Sequence, residues 1–279
     1  MDLNTSTAIQ DTLHQAKGDV GSDWIMHHIL DSHELEFAPF GSIPLPHLSL
    51  FGLDISITKH VVFLWIVAIL LIIAFKVASN AYKKSLVPHG VANFLEVLIV
   101  FVRDEIAKPT IGKGYEKFLP YLLTVFFFIL FSNFIGLVPN GATVTSNISV
   151  TVTLAVISFL VVQIGGMMKN GALGYFKGLI PSGVPAWLLP IMFVVEILGL
   201  FTKPFALAIR LFANMTAGHI VILALIGLIF FMQTYFVAPV SVAFALFIYL
   251  LEILVALIQA YIFTMLSSLF IGMAVHQDH

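Results

Sequence analysis

The sequence contains no cysteine and very little charge. Of its 279 residues, 10% are Asp, Glu, Lys or Arg, whereas 59% are hydrophobic. The lack of cysteine excludes disulfides, thiolate metal sites and thiol nucleophiles. The formal net charge of -2 comes with no basic run that would bind nucleic acid. Such a composition predicts an all-α integral membrane protein with several spanning helices.

Residues 1–60 are expected to form an acidic segment apart from the membrane domain. They hold eight Asp or Glu against Lys17 and Lys59 only. No basic stretch leads into an apolar core there, so a cleaved signal peptide is not expected. Ser22 is suited to cap a short amphipathic helix from Asp23 to Leu35 that lies on a membrane surface. Residues 41–46, GSIPLP, are expected to form a loop.

The histidines of this short helix raise the question of a metal site. They are His27, His28 and His33, beside Asp31. Their spacing matches no tight ligand motif, so a solvated interfacial helix is the favoured interpretation and no metal is expected.

Apolar runs predict a single membrane domain, residues 61–279, with five membrane crossings. The first three spans are expected at about residues 61–78, 118–138 and 148–168. Between the first two, apolar residues recur at helical spacing from Val91 to Ile106. The charged residues of that stretch lie elsewhere on the helical wheel, which predicts an interfacial amphipathic helix.

The last two apolar runs are too long for upright helices. They cover residues 186–232, interrupted only by Pro190 and Pro204, and residues 239–275. As helices they would be about 70 and 55 Å long, against a hydrocarbon thickness of about 30 Å. Either each run is broken into pieces or the two form a long tilted antiparallel hairpin. The absence of a strongly polar break favours the hairpin.

Lys and Arg are distributed unevenly among the connections. Seven lie between Lys76 and Lys117, none follows the second span directly, and Lys169 and Lys177 flank a Gly-rich turn region after the third. The positive-inside rule therefore predicts an extracytoplasmic N-terminus and a cytoplasmic C-terminus.

Residues 194–222 carry charge within an apolar helical run. Arg210 cannot lose its proton to escape a low dielectric, so it needs a partner. Helical spacing places Glu196, Lys203 and Asn214 within roughly 40° of Arg210 on one face. Because Glu196 lies about 21 Å away along a helix, the counter-charge is expected from elsewhere in the fold or from another protein.

The second arm of the hairpin has its own polar residues. Glu252 and Gln259 share a face, with Tyr249 and Ser241 on nearby turns. If the chain turns near residue 235 or 236, facing positions have numbers that sum to about 471. His219 is then opposite Glu252, and Gln259 is opposite residue 212, close to Arg210.

These residues resemble subunit a of the F-type ATP synthase, in a bacterial form. The resemblance is carried by RLFANMTAGH (Arg210 to His219), by Glu196 upstream, and by Glu252 and Gln259 downstream. It covers the five-span pattern from Val61 to Val275 and, more weakly, the acidic N-terminus with its HHILD segment.

The resemblance implies a proton-translocating stator subunit that provides two offset half-channels to a rotor. Arg210 matches the essential arginine that meets the carboxylate of each rotor subunit c. The matches to the outer proton path are Asn214, His219, Glu252 and Gln259. Glu196 matches a position near the inner path, and Lys203 and Tyr249 are accessory candidates. Some relatives exchange the acid and the histidine between the positions of His219 and Glu252.

The resemblance also implies partners and a location. The partners are the c-ring, the peripheral-stalk b subunits and membrane lipid, and the location is the bacterial plasma membrane. A channel subunit of this kind is expected to hold no catalytic residue, cofactor or metal. The sequence leaves H⁺ and Na⁺ open as the ion, because the selecting site would lie mostly on the rotor.

Other interpretations remain beside this one. A secondary ion-coupled transporter would accommodate the buried charges, but it usually shows internal repeats, and the Arg210 segment has no second copy. An intramembrane hydrolase would need an HExxH motif or a nucleophile beside a base, and HExxH is absent. Single residues also have structural interpretations: local pairing for Lys203, helix packing for Glu196, and plain hydrogen bonding for the other polar groups.

Overall fold

A computed structural model describes most of the membrane domain and parts of the N-terminal segment. The described residues are 31–32, 34–37, 41–46, 49–50, 53–54, 56–84, 89–138, 141–178, 185, 187–232 and 236–276. Five helices within these ranges are long and apolar enough to cross a membrane. The predicted all-α membrane fold with five crossings is confirmed.

The helices follow one another with short connections. In chain order they are α1 (Lys59–Lys84), α2 (Val91–Phe101), α3 (Lys108–Ile111), α4 (Leu119–Gly136), α5 (Ile148–Asn170), α6 (Ala172–Gly178), α7 (Leu189–Met232) and α8 (Val237–Val275). The spanning helices are α1, α4, α5, α7 and α8. Helix α1 continues past the predicted end of its span at residue 78 because lysine and alanine sustain a helix beyond the hydrocarbon.

Two short antiparallel hairpins precede α1, where the sequence predicted a helix and a loop. Strand β1 (Glu34–Phe37) pairs with β2 (Gly41–Pro44), and β3 (Ser49–Leu50) pairs with β4 (Leu53–Asp54). The prediction of a helix reaching Leu35 is therefore wrong at its end, since ELEF alternates polar and apolar residues with the period of a strand. The loop predicted at 41–46 is likewise wrong for its first four residues. Residues 23–30 and the three histidines lie outside the described residues.

The predicted interfacial helix is present and contains one irregular turn. A π-helical turn, Val102–Ala107, joins α2 to α3 without a break. Pro109 has no N–H for the carbonyl four residues earlier and its ring crowds that carbonyl, which accounts for the wider turn. Leu95 and Ile106 are buried, but Val91 and Phe94 of the predicted apolar face are exposed. The apolar face is therefore wider than the surface that packs on the other helices.

A short helix occupies part of the region expected to be a Gly-rich turn. Gly171, with φ of 72°, separates α5 from α6, and the backbone is helical again from Ala172 to Gly178. Tyr175 of α6 is buried against Gly166, so packing of this ring stabilises a helix that the glycines alone do not favour.

The last two helices are continuous and antiparallel, as the hairpin interpretation predicted. Pro204 lies inside α7 without ending it. With 44 and 39 residues, the helices are about 66 and 59 Å long. Both lengths exceed a hydrocarbon thickness of about 30 Å, so the helices must incline to stay within a membrane.

Small residues let α8 approach its neighbours closely. Ser267 of α8 lies 2.9 Å from Ser158 of α5, oxygen to oxygen. The Thr110 hydroxyl bonds with Ser268, and a side chain added at Gly272 would overlap the Thr110 carbonyl oxygen. Close contact of this kind, with hydrogen bonds between helices, is how helices associate in lipid.

The Gly272 contact gives a test of this packing. Replacing Gly272 with Ala forces α3 and α8 apart, and overpacking of this kind costs about 1–3 kcal/mol of stability. We expect a lower thermal unfolding temperature in detergent for Gly272→Ala. Gly199→Ala is the matched control, because Gly199 lies in α7 with nothing within 4 Å of its added methyl group. Equal unfolding temperatures of the two variants would contradict the packing described here.

Candidate functional site

The two arms of the hairpin bring His219 and Glu252 into contact. Nδ1 of His219 lies 2.8 Å from Oε1 of Glu252. The Glu252 side chain is 2% exposed and the His219 side chain 23%. The register predicted from an assumed turn near residue 235 or 236 is confirmed for this pair.

The Glu252 carboxylate is buried without a well-aligned hydrogen bond. The His219 nitrogen is at ion-pair distance, but neither carboxylate oxygen has an aligned donor among the described residues. Taking a carboxyl group out of water is costly unless it has a partner, and His219 is the charged or polar partner that the described residues bring to it. The pair is therefore suited to hold one exchangeable proton between its two members.

Two glycines leave the space that the side chains of Glu252 and Thr143 occupy around His219. A side chain at Gly218 would place its first carbon 2.7 Å from Oε1 of Glu252. At the end of α4, a side chain at Gly136 would overlap the hydroxyl of Thr143. Both contacts require the absence of a side chain rather than unusual backbone freedom.

Thr143 is a site residue that the sequence analysis missed. Its hydroxyl bonds with Nε2 of His219, the nitrogen that faces away from Glu252. A hydroxyl both donates and accepts, so it supports either protonation pattern of the ring. The sequence marked the loop of Thr143 only by its lack of charge, and no helical spacing relates a loop residue to a residue 76 positions later.

Asn214 and Gln259 form the next contact along the hairpin. The Asn214 amide nitrogen donates to the Gln259 side-chain oxygen at 3.0 Å. Gln259 is buried, whereas Asn214 is exposed. The predicted partner position for Gln259 was 212, so the register there is two residues off and stays within one helical turn.

Arg210 lies one turn from Asn214 on the open side of the hairpin. It is exposed, and it forms no ion pair or hydrogen bond with any part of the chain that the structure describes. Leu207 and Leu211 are buried on one side of the helix next to it, so Arg210 lies at the edge of the packed face and is exposed. Of the two sources predicted for its counter-charge, another protein is the one that this exposure favours.

Glu196 and Lys203 line a cavity nearer the start of α7. It has a volume of about 390 Å³, and its other polar lining residues include Gln163, Tyr175 and His276. Lys203 places its Nζ 5.3 Å from the centre of the Phe270 ring, a cation–π contact. Glu196 and Lys203 therefore share a wet face, as their seven-residue spacing predicted, without forming an ion pair among the described residues.

Hydrogen bonds of Tyr249 and of Asn133 in α4 tie the neighbouring parts of the bundle together around the His219–Glu252 pair. The Tyr249 hydroxyl donates to the Leu137 carbonyl at 2.9 Å. Asn133 of α4 is fully buried and accepts a hydrogen bond of 2.6 Å from Thr145. These bonds join α4 and the loop after it to the hairpin and hold the loop of Thr143 against His219. Asn133 was not predicted, since a single amide in an apolar run gives no spacing signal.

Comparison with known proteins bears on this arrangement. The sequence profile of the family described as ATP synthase A chain matches residues 61–272. The chain belongs to the ATP synthase A chain family. This match includes most or all of each of the five spanning helices described above and the polar residues Glu196, Lys203, Arg210, Asn214, His219, Glu252 and Gln259 of the hairpin.

Relatives of this family are similar over most of their length. The chain is 57% identical over 258 residues to ATP synthase subunit a of Chloroherpeton thalassium, covering 91% of this chain and 77% of the relative. It is 56% identical over 261 residues to ATP synthase subunit a 2 of Chlorobaculum tepidum, covering 92% and 74%. The corresponding protein of Myxococcus xanthus is 54% identical over 234 residues, covering 81% and 77%.

Membership of the ATP synthase A chain family gives the chain its general role. The family forms part of the membrane-embedded F0 sector and takes part in proton transport and ATP synthesis. It is a membrane-sector subunit rather than the catalytic one, and its partners are other membrane-sector subunits. The five spanning helices fit the inner membrane of a bacterium.

Gly218 offers a test of the His219–Glu252 contact. In Gly218→Ala the new methyl group pushes the Glu252 carboxylate away from His219, because the carboxylate is the flexible neighbour. We expect proton conduction by the reconstituted F0 sector to fall about tenfold, a loss of about 1.4 kcal/mol. Gly199→Ala in the same helix is the matched control and should conduct normally. Normal conduction by Gly218→Ala would show that the contact is not needed.

Proposed function

We propose that this chain is the proton-translocating stator subunit of the F0 sector, with two offset half-channels separated by Arg210. The observation that carries the proposal is an exposed arginine, unpaired within the described residues, between a buried His–Glu pair and a polar cavity. Family membership supports the same role at the level of the subunit.

The charge of Arg210 explains how a rotor would be held. A carboxylate on a passing rotor subunit, about 4 Å away at an effective dielectric of about 20, is attracted by about 4 kcal/mol and stays ionised. Once it moves into lipid it must take up a proton, because a bare carboxylate is too costly there. Protonation and rotation are therefore linked, and the fixed positive charge opposes a direct proton leak between the half-channels.

The two half-channels are proposed on either side of Arg210 along α7. His219 lies nine residues beyond Arg210, about 14 Å along the helix, and the outer half-channel comprises His219, Glu252, Asn214 and Gln259. Glu196 lies about 21 Å in the other direction, and the cavity around it is the inner half-channel. Lys203 and Tyr249 have accessory roles, since Lys203 lines the inner cavity and Tyr249 positions the loop at the outer pair.

The proposed partners follow from the exposed side of the hairpin. The c-ring presents its carboxylates to Arg210, and the peripheral-stalk b subunits and lipid cover other faces of the bundle. The N-terminus is extracytoplasmic and the C-terminus cytoplasmic, which the excess of lysines between the first two spans supports. The residues on the path carry protons without a catalytic step, cofactor or metal of their own.

Replacing Arg210 tests the central claim. Arg210→Ala should abolish ATP-driven proton pumping in membrane vesicles, since nothing then holds the rotor carboxylate ionised, and passive proton leak should rise. Arg210→Lys should also fail if the planar guanidinium is required. The matched control is Arg103→Ala, which removes the only other arginine, located in the interfacial helix. Near-normal pumping by Arg210→Ala would remove the proposal.

The exchange of His219 and Glu252 tests whether the pair acts as a unit. Glu252→Gln should slow proton conduction severely, and His219→Ala should slow it less completely if water bridges the gap. The double variant His219→Glu with Glu252→His keeps both groups in contact on opposite arms. It should recover more activity than the product of the single losses, as contacting sites do. An exchanged variant as poor as that product would show that the two residues act independently.

A further inference from the structure

A second histidine–carboxylate pair lies at the end of the bundle that holds His219. Nδ1 of His60, at the start of α1, lies 2.8 Å from Oδ1 of Asp31, and the His60 backbone N–H also donates to Oδ1 at 3.4 Å. The amide of Asn147 donates to the other carboxylate oxygen at 3.3 Å. Asp31 is exposed to solvent, whereas His60 is buried. The pair therefore reaches from the surface into the protein.

The far side of the His60 ring faces a small polar cavity. Nε2 of His60 lies 3.4 Å from the Ser146 hydroxyl. The cavity measures about 20 Å³, and its walls include His60, Ser146, Thr143 and His219. That volume holds about one water molecule, and the walls offer it several hydrogen-bond partners. A water there would stand between the two histidines.

We propose that Asp31 and His60 are the outer proton entry of the half-channel that ends at Glu252. The inference rests on the proposed function and extends it to residues before the first span. His60 takes a proton at the Asp31 side and releases one from Nε2 to the cavity. The cavity water passes one to Thr143, Thr143 to Nε2 of His219, and Nδ1 of His219 to Glu252. Each group gives one proton as it receives one, so one external proton arrives at Glu252.

The charges around the entry favour this direction of travel. Partial burial opposes ionisation of Asp31, but hydrogen bonds from His60 and Thr58 and the attraction of the His60 charge outweigh it, so the pKa of Asp31 is lowered. An ionised Asp31 places a negative charge at the surface end of the pair, which attracts protons to it. Lys59 and His219 also line the cavity, and Glu252 lies beyond His219 as the nearest acid among the described residues. The surface end of the route thus attracts a proton, and the Glu252 carboxyl group can accept one at the inner end.

The pair also joins the N-terminal segment to the bundle, and this has its own pH dependence. Because the folded-state pKa of Asp31 lies below its ordinary value of 3.8, the stabilisation is present above that value and is lost as the pH falls through the folded pKa. A clamp would affect how much of the complex assembles, whereas a proton entry would affect the rate and the pH profile of conduction per complex.

The experiment measures passive proton conduction by the complete F0 sector in liposomes while the pH on the outer side is varied. His60→Gln and Asp31→Asn keep hydrogen-bonding groups of similar size but do not titrate, and rates are taken per assembled complex so that a loss of stability is not read as a loss of conduction. We expect conduction at neutral outer pH to fall about tenfold, and the pH dependence between about pH 5 and 8 to be lost. His89→Gln is the matched control, an exposed histidine beyond the other end of α1, and should behave as the unaltered protein does.

The results of these measurements distinguish a failure of the proposed entry from a failure of the proposed half-channel. Glu252→Gln is measured in parallel: if it blocks conduction while His60→Gln and Asp31→Asn conduct with an unaltered rate and pH profile, the entry proposal alone is wrong. Lower amounts of assembled complex with an unaltered rate and pH profile per complex would make the pair a clamp and would also overturn it. Normal conduction by Glu252→Gln would instead overturn the proposed function.

Discussion

The positive charge of Arg210 is the constraint on which the rest of the arrangement depends. A guanidinium stays charged in any environment a protein offers, and an apolar helix gives it no neutral alternative. In this chain it is exposed and has no ion pair within the described residues, so its charge is available to a group beyond them. A paired, buried arginine would serve packing alone. An outward, unpaired one is consistent with a partner that arrives and leaves, which is what a rotor carboxylate does.

Because α7 and α8 are long, polar residues form two separate sites, one on each side of Arg210 along the helix. A helix of ordinary spanning length would leave room for few polar turns on either side of Arg210, whereas α7 with its 44 residues carries Glu196 and His219 on opposite sides, in different surroundings. Helix α8 supplies Glu252 and Gln259 at the same levels as His219 and Asn214. Its small residues hold it close to α5 and α3. The precision of the His219–Glu252 contact thus depends on packing well away from it.

The sequence predicted the parts of the site that obey a helical period and missed the parts that do not. His219 opposite Glu252 followed from equal distances to a turn, and the shared face of Glu196 and Lys203 followed from a seven-residue step. Thr143 lies in a loop, and only the fold of α4 and α5 brings it to His219. The strand Glu34–Phe37 was mistaken for a helix end because a four-residue alternation is short beside the helical pattern before it. The exposure of Arg210 could not be predicted from the sequence either, because helical spacing shows which residues share a face but not what packs against that face.

Under the proposed function, the polar groups of the outer route differ from Arg210 in whether they can pass on a proton. Along the proposed outer route, Asp31 is exposed at one end and Glu252 is buried at the other, and each group lies near the next or near the cavity between them. The imidazole, hydroxyl and carboxyl groups of this route can each accept one proton and release another, so a proton can move on in either direction. Arg210 differs from the buried Glu252 because it is exposed and because its protonation is fixed. Protons can pass along groups that gain and lose a proton, but they cannot pass through Arg210, whose protonation is fixed. Onward transfer from the route therefore needs an acceptor that moves. Under the proposed function, the coupling of ion flow to motion would require no gate among the described residues beyond the contrast between Glu252 and Arg210.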